Sequence, residues 1–105
     1  MKLLLLFAFP GEAKETMPML GRSERVSGLP FKAFRVPYPS HKLTMAETGI
    51  GVGNAARVLL HLLQADRPDA VLSFGYCGAL SPEASVGDVV WASSVCLIEG
   101  QKVET

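Results

Sequence analysis

Residues 53–66 limit the possible folds of this chain more than any other segment. They are followed by a proline and then by a short apolar run. Apolar side chains recur there at helical spacing, which predicts an amphipathic helix with one buried stripe. The stripe consists of Val52, Ala55, Ala56, Leu59, Leu62 and Leu63. Pro68 ends the helix, and "AVLSFGY" at residues 70–76 predicts a strand that is buried on both faces. A helix connecting two strands in this way indicates a right-handed parallel crossover.

The other segments predict a sheet that is partly antiparallel. Strands are predicted for residues 3–9, 29–39, 42–50 and 88–97. The second of these ends at Pro37 and Pro39 and forms a meander with the third. A short helix begins at about residue 12 and is limited by Pro18, whereas the polar residues 22–28 predict a loop. The predicted class is therefore α/β, with a mixed sheet.

The composition argues against several classes of partner. With 105 residues and a formal net charge of zero, the chain suits one small domain without the basic surface that nucleic acid or an anionic membrane requires. Cys77 and Cys96 lie in apolar segments, which suits reduced thiols in the core of a cytosolic protein better than a disulfide framework. His41 and His61 are far apart, and His61 falls on the polar helix face, so no metal site is predicted. The opening "MKLLLLFAFPGE" turns too soon for a signal peptide.

Three predicted loops follow strands, at the edge where sheets of this class bind ligands. They are "AFPGE" (8–12), "ETGIG" (47–51) and "GYCGAL" (75–80). Their glycines either let the backbone approach a ligand closely or serve tight turns alone. The first loop carries a carboxylate near its tip, Glu12. The second is not a dinucleotide loop, because Asn54 stands where the third glycine of Gly-x-Gly-x-x-Gly is needed.

A family resemblance rests on five motifs in "TGIGVGNAARVLLHLLQADRPDAVLSFGYCGALSPEASVGDVV". Thr-Gly-Ile-Gly, Asn-Ala-Ala, Arg-Pro-Asp-Ala, Gly-x-Cys-Gly-Ala and Val-Gly-Asp-Val-Val follow in this order. The segment resembles the core of the purine and uridine phosphorylase superfamily, which includes the methylthioadenosine and adenosylhomocysteine nucleosidases. The resemblance is strong over residues 47–90 and weaker over residues 1–12.

The resemblance implies a twisted mixed sheet with flanking helices. Residues 1–105 would form the N-terminal part of a single nucleoside phosphorylase or nucleosidase domain, apparently truncated. The implied reaction is cleavage of the N-ribosidic bond of a purine-type nucleoside by water or by phosphate. No cofactor is implied, and relatives of this kind are usually homo-oligomers.

The resemblance also assigns roles to residues of the three loops. Glu12 matches the carboxylate that positions or deprotonates the attacking water, a role that suits an oxygen acceptor. The alternative is that Glu12 only complements a helix N-terminus. The implied substrate-binding residues are Ala8, Phe9, Ile50, Gly51, Tyr76, Cys77 and Gly78. Of these, Cys77 and Gly78 match the backbone beside the base, and the others match the sugar region.

Departures from the family pattern bear on the reaction. In the phosphorylases, an arginine and a serine of the matching segment bind phosphate. This chain has Ser73 and Tyr76 at those two positions. Because a phosphate dianion needs charge-assisted contacts, hydrolysis is favoured over phosphorolysis. The Tyr76 ring either narrows the sugar pocket or turns into the core.

The carboxylates of this chain limit the catalytic activity that can be expected of it. The family's general acid and its ribose-binding glutamate match nothing in this chain, since Asp88 suits a turn cap and Glu99 fits neither motif. We therefore expect these 105 residues alone to bind nucleosides weakly and not to cleave them. The alternative is a non-catalytic nucleoside-binding or interaction module.

Overall fold

The computed structural model describes residues 1–96 and 102–104. Its strands are β1 (Lys2–Phe7), β2 (Glu24–Arg25), β3 (Ala33–Tyr38), β4 (His41–Glu47), β5 (Ala70–Ser73), β6 (Ser94–Cys96) and β7 (Lys102–Glu104). Its helices are α1 (Pro10–Ala13), α2 (Thr16–Met19) and α3 (Val52–Ala65). The strand predicted for residues 88–97 begins later, at Ser94, and Leu97 lies outside the described residues.

The mixed sheet is confirmed. Five strands follow the order β2-β3-β4-β1-β5, and β6 and β7 form a separate antiparallel pair. β4 and β5 both run parallel to β1, with Leu3 opposite Leu43 on one side and Ala70 on the other. The predicted meander corresponds to β3 and β4, which pair antiparallel, and β2 adds a short antiparallel strand on the other side of β3. Three adjacent parallel strands therefore end at one edge, which we call the carboxyl edge.

Three local predictions near the prolines and the polar segment were wrong. Residues 22–28 are not all loop, because β2 pairs with β3 there. Pro37 lies inside β3, opposite Lys42, and does not end it. β2 reaches only as far as the partners of Phe34 and Arg35. Within the described residues, no strand beside Pro37 therefore needs the missing N–H. The helix expected from residue 12 is two short turns, and Pro18 lies in the first turn of α2, where backbone N–H groups need no helical partner.

The core lies on both faces of the sheet, because successive side chains of a strand point to opposite sides. Leu4 and Leu6 of β1 pack with Val58 of α3 on one face. Phe7 of β1 packs with Ala13 of α1 on the other. The sheet is therefore held between α3 and the pair of short helices.

The buried stripe of α3 differs from the predicted one. Ala55, Leu59 and Leu62 are half-buried as expected, but Val52 is 82% exposed, and Val58, which the prediction left out, is fully buried. The helix is apolar around much of its circumference, so hydropathy alone does not select the line of side chains that meets the sheet. His61 is exposed, as predicted, with its ring edge-on to Phe31 at a centroid distance of 5.4 Å.

The prediction for residues 70–76 was wrong about burial. Val71 and Leu72 are 40% and 36% exposed, because β5 is the last strand of the described sheet and pairs with β1 alone. An apolar run indicates that a strand needs cover but does not say which element supplies it. Leu80 and Val86, further along, are fully exposed. In the part of the chain that the structure describes, no helix is long and apolar enough to cross a membrane.

The open edge of β5 leads to a first prediction. We expect the 105-residue chain to self-associate in concentrated solution, because β5 presents unpaired backbone groups beside exposed apolar side chains. Val71→Lys should reduce this association, since a charge on an edge strand opposes pairing. Ser27→Lys adds the same charge in an exposed loop and is the matched control. Multi-angle light scattering that showed a monomer at every concentration would contradict the prediction.

Candidate functional site

Backbone hydrogen bonds extend the sheet into the loops at the carboxyl edge. The N–H groups of Thr48 and Gly49 donate to the carbonyls of Phe7 and Ala8, at 2.8 and 2.9 Å. On the other side, the N–H of Phe74 donates to the carbonyl of Leu6 at 3.0 Å. The three loops that the sequence singled out therefore lie side by side, because the strands that precede them are parallel neighbours.

Glu12 joins two of these loops. Pro10 begins α1 with its ring-restricted φ, which places Glu12 in the first turn of this short helix. Its Oε1 accepts a hydrogen bond from the N–H of Ala8 at 2.8 Å, and its Oε2 accepts one from the N–H of Tyr76 at 2.9 Å. Hydrogen bonds to two separate loops fix the half-buried carboxylate, so a helix-terminus role alone does not describe it.

Gly75 leaves the space that this carboxylate occupies. A Cβ at Gly75 would overlap Oε2 of Glu12 and lie 2.7 Å from its Cδ. Real Cβ atoms do not approach so closely, so either the carboxylate or the loop would have to move. Sequence reasoning missed this role. The sequence signal that could have indicated this role was the glycine before "YCGAL". A glycine in such a loop suggests close approach of the backbone to a ligand, whereas here the close approach is to the Glu12 carboxylate.

The Tyr76 ring lies over the first loop and does not turn into the core. Its hydroxyl donates to the carbonyl of Gly11 at 2.9 Å. Its ring meets Phe9 edge-on, with centroids 6.5 Å apart. The side chain is 70% exposed, so the two aromatic rings form an accessible wall beside Glu12. Together with the Tyr76 N–H on the Glu12 carboxylate, these contacts connect the first and third loops at three points.

The second loop is tied to β1 and the first loop through Thr48 and Gly49, and its turn before α3 has contacts of its own. Gly49 and Gly51 have φ of +82° and +98°, a region that favours glycine. The amide Nδ2 of Asn54 donates to the carbonyl of Ile50 at 2.8 Å, which closes the turn before α3. Asn54, the residue that breaks the dinucleotide pattern, thus stabilises the loop. Ile50 is 75% exposed on the same edge as Glu12.

The structure brings some candidate residues into contact and leaves others apart. Ala8, Phe9, Glu12 and Tyr76 are joined by the contacts above. Ile50 and Gly51 lie on the adjacent loop. Cys77 is exposed, and Gly78 lies in open space.

Two further observations concern ligands and carboxylates. Over residues 1–96 and 102–104, no group of three or more potential metal ligands forms a cluster. Asp88 closes a turn as expected, since its Oδ2 accepts a hydrogen bond from the N–H of Ser85 at 2.8 Å. Glu99 lies outside the described residues.

The sequence matches known proteins of one family. A model of the phosphorylase superfamily matches residues 2–103. Over 54 residues the chain is 41% identical to the 5′-methylthioadenosine/S-adenosylhomocysteine nucleosidase of Chromohalobacter salexigens, a match that covers 51% of this chain and 23% of that protein.

Solved structures of nucleosidases have a fold similar to that of this chain. The MTA/SAH nucleosidase of Streptococcus pneumoniae in complex with 8-aminoadenine has a TM-score of 0.79 and 28% identity, covering 90% of this chain and 42% of that one. The Neisseria meningitidis nucleosidase in complex with methylthio-immucillin-A has a TM-score of 0.72 and 25% identity, covering 83% and 38%. The chain therefore spans less than half the length of these relatives.

Proposed function

The chain belongs to the phosphorylase superfamily, and on this premise we propose that it forms the N-terminal part of a single nucleosidase domain. The proposed reaction is hydrolysis of the N-glycosidic bond of a purine-type nucleoside. The observation that carries the proposal is the Glu12 carboxylate, held at the carboxyl edge between two loops by backbone N–H groups.

The hydrogen bonds of Glu12 suit a residue that binds water. Each carboxylate oxygen has two lone pairs, and one backbone N–H occupies one of them on each oxygen. The free lone pairs can accept a hydrogen bond from the attacking water and take its proton as positive charge develops on the sugar. The half-buried position limits rotation of the side chain and therefore fixes the direction from which the water attacks.

The surrounding residues are proposed to contact the nucleoside. Ala8 and Tyr76, whose N–H groups hold the Glu12 carboxylate, would face the sugar, together with Phe9, whose ring contacts Tyr76. Ile50 and Gly51 would cover its other side, with Cys77 and Gly78 beside the base. A purine-type base is supported by the 8-aminoadenine bound to the S. pneumoniae protein.

Water is proposed as the acceptor in preference to phosphate. The positions where phosphorylases supply arginine and serine hold Ser73 and Tyr76, neither of which is a cation. The Tyr76 hydroxyl is already engaged with the Gly11 carbonyl. A cytoplasmic location and a homo-oligomeric state belong to the same proposal.

The test measures adenine release from 5′-methylthioadenosine with and without phosphate. It compares the 105-residue chain with a chimaera in which residues 1–93 replace the matching part of the S. pneumoniae nucleosidase. We expect release by the chimaera without phosphate and none by the short chain, because protonation of the departing base by a general acid is typically worth about 10²–10⁴-fold.

Each contrary outcome has a definite meaning. A strict requirement for phosphate would establish phosphorolysis. Release by the short chain would show that no later residue is needed. A folded chimaera that binds 8-aminoadenine without cleaving the substrate would favour the non-catalytic nucleoside-binding module.

A further inference from the structure

A cavity lies at the edge of the sheet opposite the carboxyl edge, where β1 and β4 begin. It has a volume of about 130 Å³ and lies between these strands, the loop before β3 and the last turn of α3. Leu4, Leu29, Ala33 and Leu62 contribute its apolar wall. A six-residue strand rises about 20 Å, so this cavity is separate from the Glu12 site at the other end of β1.

The cavity arises because small side chains face each other where α3 leaves the sheet. Ala33 of β3 and Ala65 at the end of α3 both line it, and Pro68 then turns the chain away. The cavity is open to solvent, so an occupant of matching shape removes its apolar wall from water and gains dispersion contacts with it. An apolar cavity of about this size accommodates a group as large as benzene.

Charged side chains surround the mouth of the cavity. Lys2 and Lys42 donate to the two oxygens of Asp66, at 2.9 and 2.7 Å. These hydrogen bonds lower the pKa of Asp66 to about 2, so its carboxylate is ionised at neutral pH. Arg35 also lines the cavity, and no ion pair to it is present among the described residues.

The balance of charge favours an anion. Three cationic side chains and one carboxylate line the cavity, and a second carboxylate, Asp69, lies beside it, since its Oδ2 accepts a hydrogen bond from the Lys2 N–H at 2.6 Å. The carbonyls at the end of α3 contribute about half a negative charge, which offsets only part of the excess. Glu24 pairs with Arg35 in the sheet but does not line this cavity.

We propose that this cavity binds a small amphiphilic monocarboxylate with an apolar body of about six carbons. The apolar body lies between Leu4 and Leu62, and the carboxylate binds the Arg35 guanidinium, whose planar fork matches two carboxylate oxygens. The site is independent of the proposed nucleosidase function.

The experiment titrates the isotope-labelled 105-residue chain with hexanoate, 1-hexanol and hexylammonium, at a dilution where light scattering shows a monomer, followed by amide chemical shifts. Hexanoate is expected to bind most tightly and hexylammonium most weakly, with shifts concentrated at Leu4, Ala33 and Leu62. Arg35→Gln should weaken hexanoate binding roughly tenfold and leave hexanol binding unchanged, since it removes one charge-assisted contact. Lys32→Gln, an exposed cation that does not line the cavity, is the matched control.

A second variant tests the cavity itself. Ala65→Leu places an apolar side chain at the exposed end of α3, where it would fill the mouth and reduce binding of both hexanoate and hexanol. Equal binding of hexanoate and hexylammonium, or shifts spread over the whole surface, would overturn the proposal. So would an Arg35→Gln chain that binds hexanoate as the original does. The arginine variant decides the question by itself if Ala65→Leu fails to fold.

Discussion

Replacement of Glu12 by Gln is expected to lower adenine release by the chimaera by about 10²–10⁴-fold, the usual contribution of a general base. The amide cannot take a proton from the attacking water. The variant is measured by base release at saturating 5′-methylthioadenosine, together with binding of 8-aminoadenine. A Glu12→Gln chimaera with an unchanged rate would exclude Glu12 as the catalytic residue.

The structure adds a second consequence of this substitution. Glu12 accepts N–H hydrogen bonds on both oxygens, and a glutamine has one oxygen and one donor group. Either Ala8 or Tyr76 therefore loses its acceptor. We expect one of these two amide signals to shift strongly in the labelled 105-residue chain, so some loss of binding accompanies the loss of rate.

The control for this prediction is Glu15→Gln. Glu15 is an exposed carboxylate just before α2, and it makes no side-chain hydrogen bond there as the N-cap residue. Its substitution removes the same charge close to Glu12 and should leave both the rate and the two amide signals unchanged. A similar rate loss in both variants would indicate a general effect of charge and not a specific one.

Replacement of Gly75 by Ala is expected to displace the Glu12 carboxylate and to lower the rate to nearly the same extent as Glu12→Gln. The added Cβ would overlap Oε2, and the backbone on either side is tied to β1 and to Glu12. Overpacking of this kind typically costs about 1–3 kcal/mol of stability. If the carboxylate moves, this loss of stability is avoided. The proposed base then no longer contacts the attacking water.

Gly53→Ala is the matched control for Gly75→Ala. It adds the same methyl group in the first turn of α3, where no atom outside its own helical turn lies within 4 Å of the new Cβ. Chemical denaturation gives the stability change, and the amide signals of Ala8 and Tyr76 report on the position of the Glu12 carboxylate. If Gly75→Ala left the rate and both signals as they were, the close approach between Gly75 and Glu12 would have no functional role.

The architecture could be predicted from the sequence because its signals are local. Helical spacing before Pro68, alternation along residues 29–39 and the apolar opening each depend on a few neighbouring residues. Parallel strands joined through a helix also place their following loops at one edge, which was enough to bring Glu12, Ile50 and Tyr76 to the same end of the sheet. The family resemblance supplied the roles of these residues, which neither spacing nor composition contains.

The contacts within the site could not be predicted, because they join residues distant in the chain. The hydrogen bond from Tyr76 to Glu12 spans 64 positions, and Gly75 matters only because the Glu12 carboxylate lies against it. Burial was misassigned for the same reason. Val58 and not Val52 meets the sheet, and β5 is an edge strand, because which apolar surfaces find a partner depends on the packing of whole elements. The sequence by itself thus determined the elements and the edge where their loops meet, whereas the tertiary structure decided which side chains and backbone groups are in contact there.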